Sequence, residues 1–346
     1  MPSATRAPSR PCSEAEDSVG GLGLHADLPL KVVAIGGGTG LAALLRAVKS
    51  EAGRARDPWK LTGIVTVSDD GGSSGRLRDE LGVIPPGDLR NCLSALTREE
   101  SVLSELLNYR FKGDGSLAGH SLGNLMLLAM ADLTGDWVHA IRQLSGVLVT
   151  VGRLYPSTVV PVVLRAEDME GRSYCGETSV NSAHPPLARL WVEPLDAEPL
   201  PEAVLAILQA DLILLAPGSL YTSTIASLLI AELRSAVART GLPVIYVANL
   251  MTEPGESSGM DLEAHVAAIQ AYACLALRVV VANTAPLPAK LLRRYLKEGG
   301  SPLLAGADTL CGVPVVAQPL LDPEAEMARH HPVLLNRALR EVIASL

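Results

Sequence analysis

The chain has 346 residues, 48% hydrophobic and 19% charged, with a formal net charge of −8. That length admits one to three domains with a large core, and the negative balance excludes a general binder of nucleic acid or acidic membranes, leaving only a local basic cleft. Five cysteines (Cys12, Cys92, Cys175, Cys274, Cys311), odd in number and without a CxxC, argue against a disulfide framework or zinc site and fit a reducing cytoplasm.

Residues 1–28 are rich in Pro, Ser, Gly and charge and lack the apolar core of a signal peptide. A disordered tail, or an upstream start codon wrongly chosen, is expected there. The remainder, 29–346, is expected to form one α/β nucleotide-binding domain, Rossmann-like and doubly wound around a mostly parallel sheet, with a small β-rich insertion at about 151–198.

The chain is organised around Lys31 to Lys49. Val32 to Ile35 is an unbroken apolar run, the signature of a strand buried on both faces. Gly36, Gly37, Gly38, Thr39 and Gly40 follow, and Leu41, Leu44, Leu45 and Val48 recur at helical spacing. Strand, glycine turn and helix start aim backbone N–H groups at an anion. The dinucleotide fingerprint wants glycine at its sixth position, where Leu41 stands, and the P-loop wants a lysine that is absent. The stretch is therefore neither motif, and a tight turn without a ligand is the alternative.

A second strand, Leu61 to Val67, leads into Ser68, Asp69, Asp70, Gly71, Gly72, Ser73 and Ser74. Ligands gather at this edge of doubly wound sheets. Asp69 or Asp70 is expected to bind a ribose hydroxyl or a Mg²⁺ that bridges phosphates, unless both are solvated carboxylates of an Asp-Gly turn. Asp88 suits the N-cap of the next helix, and Arg90 and Asn91 lie in its first turn, within reach of a phosphate or sugar. His120, Ser121 and Asn124 mark another small-residue entry into an apolar helix, Leu122 to Leu133, which Asn124 and Asp132 interrupt. No apolar run reaches membrane-spanning length, and no HxxxH or HExxH accompanies His120, so a zinc site is rejected.

Residues 147–198 read as short strands: Val159 to Leu164, Ser173 to Val180 and Leu187 to Val192, with a turn at 167–172. No catalytic constellation is evident in them. The strand–helix alternation then resumes. Strand Asp211 to Ala216 runs into Gly218, Ser219, Tyr221, Thr222 and Ser223, where hydroxyls cap the following helix or bind an anion. Strand Pro243 to Ala248 ends at Asn249, Leu277 to Ala282 at Asn283, and valines 313, 315 and 316 mark a last strand. Tyr295 lies on a basic helix, and Arg329 precedes the terminal helix.

Taken together and in order, IGGGTGL, VTVSDDGGSSGRLRDELG, PPGDLRN, GHSLGN, APGSLYTS and NLMTEPGE resemble the bacterial gluconeogenesis-factor family, in the superfamily of 2-phospho-L-lactate transferase. The likeness covers about 31–345. Glu253 stands where relatives usually carry Gln, and an aromatic near Met260 is missing. The resemblance implies a Rossmann-like core, a cytoplasmic protein, binding of UDP-sugars such as UDP-N-acetylglucosamine, and a role in cell shape and wall synthesis during gluconeogenic growth. It implies that Tyr295 and Arg329 contact the nucleotide sugar. It brings no established reaction, although the transferase cousins move a phospholactyl group from an activated nucleotide with Mg²⁺. Three readings follow: a UDP-sugar-binding regulator without turnover, which the likeness favours; a Mg²⁺-dependent transferase; and an NAD-dependent oxidoreductase, disfavoured by Leu41. Phosphoryl-type transfer needs little beyond positioning and charge neutralisation, so scarce acid–base groups do not exclude the second. A partner among cell-wall or metabolic enzymes and a homo-oligomer remain open.

Overall fold

The computed structural model describes residues 29–54, 58–99, 101–183 and 185–346. The expectation for residues 1–28 lies outside the described residues. The first half comprises β1 (Lys31–Gly36), α1 (Gly38–Ala52), β2 (Lys60–Val65), α2 (Gly72–Leu81), α3 (Pro86–Leu96), α4 (Val102–Asn108), α5 (Leu122–Thr134), α6 (Trp137–Val147) and β3 (Arg153–Pro156). A small lobe follows with β4 (Val163–Asp168), β5 (Ser173–Cys175), α7 (Glu177–Asn181) and β6 (Leu187–Glu193). The remainder is α8 (Pro201–Leu208), β7 (Leu212–Leu215), a π-helical turn (Leu220–Ile225), a 3₁₀ turn (Ala226–Leu228), α9 (Ala231–Thr240), β8 (Val244–Val247), α10 (Leu262–Ala273), β9 (Val279–Asn283), α11 (Ala289–Glu298), β10 (Thr309–Leu310), β11 (Val313–Gln318) and α12 (Pro332–Ala344).

Eight strands form one sheet in the order β3-β2-β1-β7-β8-β9-β11-β10, parallel except for the β10–β11 pair. Strands β7, β8 and β9 are buried at every residue, and β1 at every residue but Lys31, so both sheet faces are covered. Their unbroken β-branched and leucine runs read as they do for that reason. Removing one such side chain, Ile35→Ala for example, costs about 2–5 kcal/mol. The chain departs from β1 in one direction toward β2 and returns to its other side as β7. Such a reversal opens a crevice at the carboxyl ends of the two strands, where ligands of doubly wound sheets bind. Among the described residues no helix is long and apolar enough to cross a membrane.

The lobe differs from its sequence expectation in two places. The strand expected from Val159 begins only at Val163, beyond Pro161, and continues through Asp168. Asp168 closes the hairpin by accepting from the N–H groups of Glu170 and Arg172, each at 2.9 Å. The strand expected over 173–180 stops at Cys175, because Gly176 is left-handed (φ +89) and turns the chain into α7. Strands β5, β4 and β6 make a separate antiparallel sheet.

Candidate functional site

At the crevice the β1–α1 turn meets the loop after β7. Gly38 has φ +57, a backbone state that side chains disfavour. At Gly40 the constraint is contact: a Cβ there would lie 1.7 Å from the Pro217 carbonyl oxygen. Glycine thus lets two strand-end loops touch. The first-turn N–H groups of α1 have no partner within the helix, and a carboxylate has already taken one of them. Gly38 donates to Asp88 Oδ2 at 2.7 Å. Asp88 is therefore not the N-cap the sequence suggested. Pro85 is the cap residue of α3, and Asp88, one turn in, reaches across to α1. Burial, then the nearby Asp69 charge, raises its pKa to about 7.

The loop after β2 points largely into protein. Asp69 Oδ1 accepts from Gly71 N–H at 2.8 Å, and burial raises its pKa. Asp70 Oδ1 accepts from the Thr178 N–H (2.9 Å) and hydroxyl (2.7 Å), clamping the lobe to the main sheet. Behind the cleft lies a buried chain of polar contacts. Asn124 Nδ2 donates to Ser73 Oγ at 3.1 Å, Ser73 meets His120 Nδ1 at 2.9 Å, and Arg90 Nε donates to Asn124 Oδ1 at 3.1 Å. The Ser73–His120 hydrogen bond can run in either direction with a neutral ring, as the Ser73 oxygen has a second lone pair besides the one that Asn124 engages. Burial, with Arg76 nearby, lowers the His120 pKa and supports that state. Ser121 caps α5, accepting from Asn124 N–H at 3.2 Å.

The opposite wall is built by the loops after β7 and β8. The Asn249 side chain grips the Gly218 peptide with both atoms, accepting from its N–H at 2.9 Å and donating to its carbonyl at 2.5 Å. Glu256 Oε1 accepts from the N–H groups of Tyr221 (2.6 Å) and Thr222 (2.7 Å), closing the π-helical turn from within. Burial raises the Glu256 pKa to about 7. Tyr221 packs edge-on against Tyr272 with ring centroids 5.5 Å apart. Farther along, Tyr295 Oη accepts from Ala328 N–H at 3.1 Å, which seats the segment carrying Arg329 beside α11. His330 donates from Nε2 to the Ala248 carbonyl at 3.1 Å, and burial lowers its pKa to about 4.

These walls enclose a cleft of about 550 Å³, in the size range of small-molecule sites. Of the residues singled out in the sequence, the cleft is lined by Gly37, Gly38, Thr39, Gly40, Asn91, Gly218, Ser219, Ser223, Asn249, Tyr295 and Arg329. Gly36 stays in the strand, packed on Ala216. Asp69, Asp70, Gly71, Gly72, Ser73, Ser74, Arg90, His120, Ser121, Asn124, Tyr221 and Thr222 lie outside the lining.

The cleft also contains Arg46, Thr252, Glu253 and His330, and Glu177 from the lobe. Burial, then the charges of Asp69 and Asp88, raises the Glu177 pKa to about 9. Reading 173–180 as one strand hid Glu177. The legible signal was Gly176 followed by Glu177 and Thr178, a break and then a helix start.

The sequence matches the profile of the 2-phospho-L-lactate transferase CofD family over residues 32–321. The chain belongs to this family. Among its relatives, the gluconeogenesis factor of Bacillus subtilis is 38% identical over 303 residues, covering 87% of this chain and 94% of the relative. That of Halalkalibacterium halodurans is 36% identical, covering 90% and 95%. A crystal structure of a UPF0052 family member from Bacillus halodurans superposes with a TM-score of 0.82 at 35% identity, covering 90% of this chain and 99% of that one. The CofD-family match and this superposition agree with the Rossmann-like α/β sheet read from the sequence. Family membership spans the β1–α1 turn, the lobe and all the cleft-lining loops up to Leu321; Arg329 and His330 fall just beyond the profile.

Proposed function

We propose that this chain is a nucleotide-sugar-binding regulator, with UDP-sugars such as UDP-N-acetylglucosamine as its ligand class and no turnover of them. It acts in the cytoplasm, in control of cell shape and wall synthesis during gluconeogenic growth. One observation carries the ligand class: the β1–α1 turn and the Gly218–Ser219 loop meet in a single cleft. Backbone N–H groups there face hydroxyls and an exposed guanidinium, Arg329. The N–H groups suit a diphosphate, and Ser219, Ser223 and Asn91 suit ribose and sugar hydroxyls. Tyr295 offers a ring against which a base can stack. The relatives' name, gluconeogenesis factor, supports the gluconeogenic part of that setting.

The family description supports a second reading, Mg²⁺-dependent transfer from a nucleotide-activated donor. Magnesium needs only one or two carboxylates besides phosphates, and Asp69 is the candidate, since Asp70 is committed to Thr178. Among the described residues no three acidic, histidine or cysteine side chains group to hold an ion.

A ligand that binds only the native state adds about 2.7 kcal/mol at 100 Kd. UDP-N-acetylglucosamine should raise the melting temperature more than NAD at equal concentration, and Tyr295→Ala or Arg329→Ala should shrink that shift. Incubation with Mg²⁺ should return the UDP-sugar intact. Steady release of UDP or UMP, dependent on Asp69, would overturn the regulator in favour of the transferase.

A further inference from the structure

The cleft is not uniformly suited to anions. Two carboxyl side chains, Glu177 and Glu253, line it, and among the described residues neither forms an ion pair. Glu253 sits in the loop after β8 and lines the cleft with Ser219, whose hydroxyl favours its ionised form while burial opposes it. Ser219 belongs to the same loop as Gly218, which Asn249 fixes. The Glu253 backbone is held as well, its N–H donating to Ser257 Oγ at 2.8 Å. The neighbouring Gly255 packs directly on the lobe, since a Cβ there would lie 2.5 Å from the Asn181 carbonyl oxygen. The carboxyl group is therefore seated on a loop tied at both ends. Glu177 enters from the lobe, and the charges that act on it most, Asp69, Asp88, Asp70 and Glu256, are all acids.

A phosphate suits the α1 end of such a cleft but not the side bearing Glu253. An ionised carboxylate accepts hydrogen bonds and donates none. It favours a ligand group rich in O–H or N–H, and opposes a second anion by like-charge repulsion. We infer that Glu253 is a specificity-determining residue, which selects ligands whose distal group carries hydrogen-bond donors and no negative charge. This rests on the nucleotide-sugar reading of the same cleft. It makes neutral and amino sugars acceptable and sugar acids poor ligands. It also disfavours a phospholactyl donor, since lactate brings a carboxylate of its own. Arg46 and Arg329 line the same cleft and pull the other way, so the selection depends on which side of the cleft the distal group occupies.

The experiment compares UDP-glucose with UDP-glucuronate, which differ only in a hydroxymethyl group replaced by a carboxylate. Titration calorimetry at one pH is run on the full chain and on Glu253→Gln and Glu177→Gln, with circular dichroism confirming that each variant is folded. The wild type should prefer UDP-glucose by about tenfold or more, the scale of a like charge brought into a shared site. Glu253→Gln should narrow the ratio at least severalfold, chiefly by improving UDP-glucuronate, and Glu177→Gln should change it less. Equal affinity of the wild type for both ligands, or a ratio unchanged in Glu253→Gln, would overturn the inference while leaving nucleotide-sugar binding in place. If neither ligand binds any of the three proteins, both the inference and the reading beneath it fall.

Discussion

Asp88 places a carboxyl group at the N-terminus of α1, and its ionisation is opposed by burial and by Asp69. In the unfolded chain the group titrates near 3.8; in the fold it titrates at about 7. Between those values the native state holds one more proton than the unfolded state, so raising the pH through this window removes stability. A difference of roughly three pKa units corresponds to at most about 4 kcal/mol. Asp88→Asn keeps an oxygen for the Gly38 N–H and discards the charge. The variant's advantage should grow from about 1.5 kcal/mol near pH 5, where only the unfolded wild-type group is ionised, to about 4 kcal/mol near pH 8.5, where it is ionised in both states. Urea denaturation of both proteins at the two pH values measures this. Glu177 and Glu256 titrate in the same direction, but they are present in both proteins and largely cancel in the comparison. A stability difference that is the same at both pH values would refute the reasoning. The same substitution should tighten binding of a phosphate-bearing ligand above neutrality, because a fixed negative charge no longer sits beside the Gly38 N–H.

The glycines of the β1–α1 turn should separate by mechanism. Gly38→Ala meets no atom closer than 3.9 Å and bears only the left-handed backbone penalty of about 1–2 kcal/mol. Gly40→Ala drives a Cβ into the Pro217 carbonyl and should destabilise more by thermal denaturation; the reverse order would count against the loop contact. Asp70→Ala removes the acceptor shared by the Thr178 N–H and hydroxyl, so hydrogen exchange at 176–182 should speed up while the main sheet stays protected. Unchanged exchange there would show that the clamp does not hold the lobe. Glu256→Ala leaves the Tyr221 and Thr222 N–H groups buried without a partner, at about 1–3 kcal/mol each, whereas Glu256→Gln should be milder; equal losses would contradict the capping role.

What the sequence made legible was local. The apolar run at Val32 to Ile35, the glycines after it and the hydroxyl-rich turn after β7 each announce a strand end by their own residue types. The parallel order of such units is constrained by chirality and connection rules. Two glycine-rich strand ends in one such chain therefore already suggest a cleft at the switch point. The polar pairings across the site were not legible in this way. Asp88 has every attribute of an N-cap, yet it stands inside the first turn of α3, whose cap residue is Pro85. Only the packing of α3 on α1 turns its carboxylate onto Gly38. Asp70 reads as a turn carboxylate until the lobe, more than a hundred residues later, supplies Thr178. Tyr221 and Thr222 offered side chains to a ligand, while the fold uses their backbone N–H groups, on Glu256, and buries the rings and hydroxyls.

The common cause is that a carboxylate's role is set by which N–H groups come within about 3 Å of it, a long-range property that no local pattern encodes. Five acids, Asp69, Asp88, Glu177, Glu253 and Glu256, have pKa values raised first by burial. Four of them line the cleft or reach the loops that form it, beside the very glycines that suit a phosphate. A diphosphate entering this cleft therefore meets backbone donors whose field favours it and carboxyl groups whose ionisation it would oppose. Each anion bound at the α1 terminus should raise those pKa values further and draw protons onto the carboxyl groups. Proton uptake on ligand binding, read by calorimetry in two buffers of different ionisation enthalpy, is thus a direct measure of how closely the acids and the ligand share one site. Binding without proton uptake near neutral pH would place the phosphate away from Asp88.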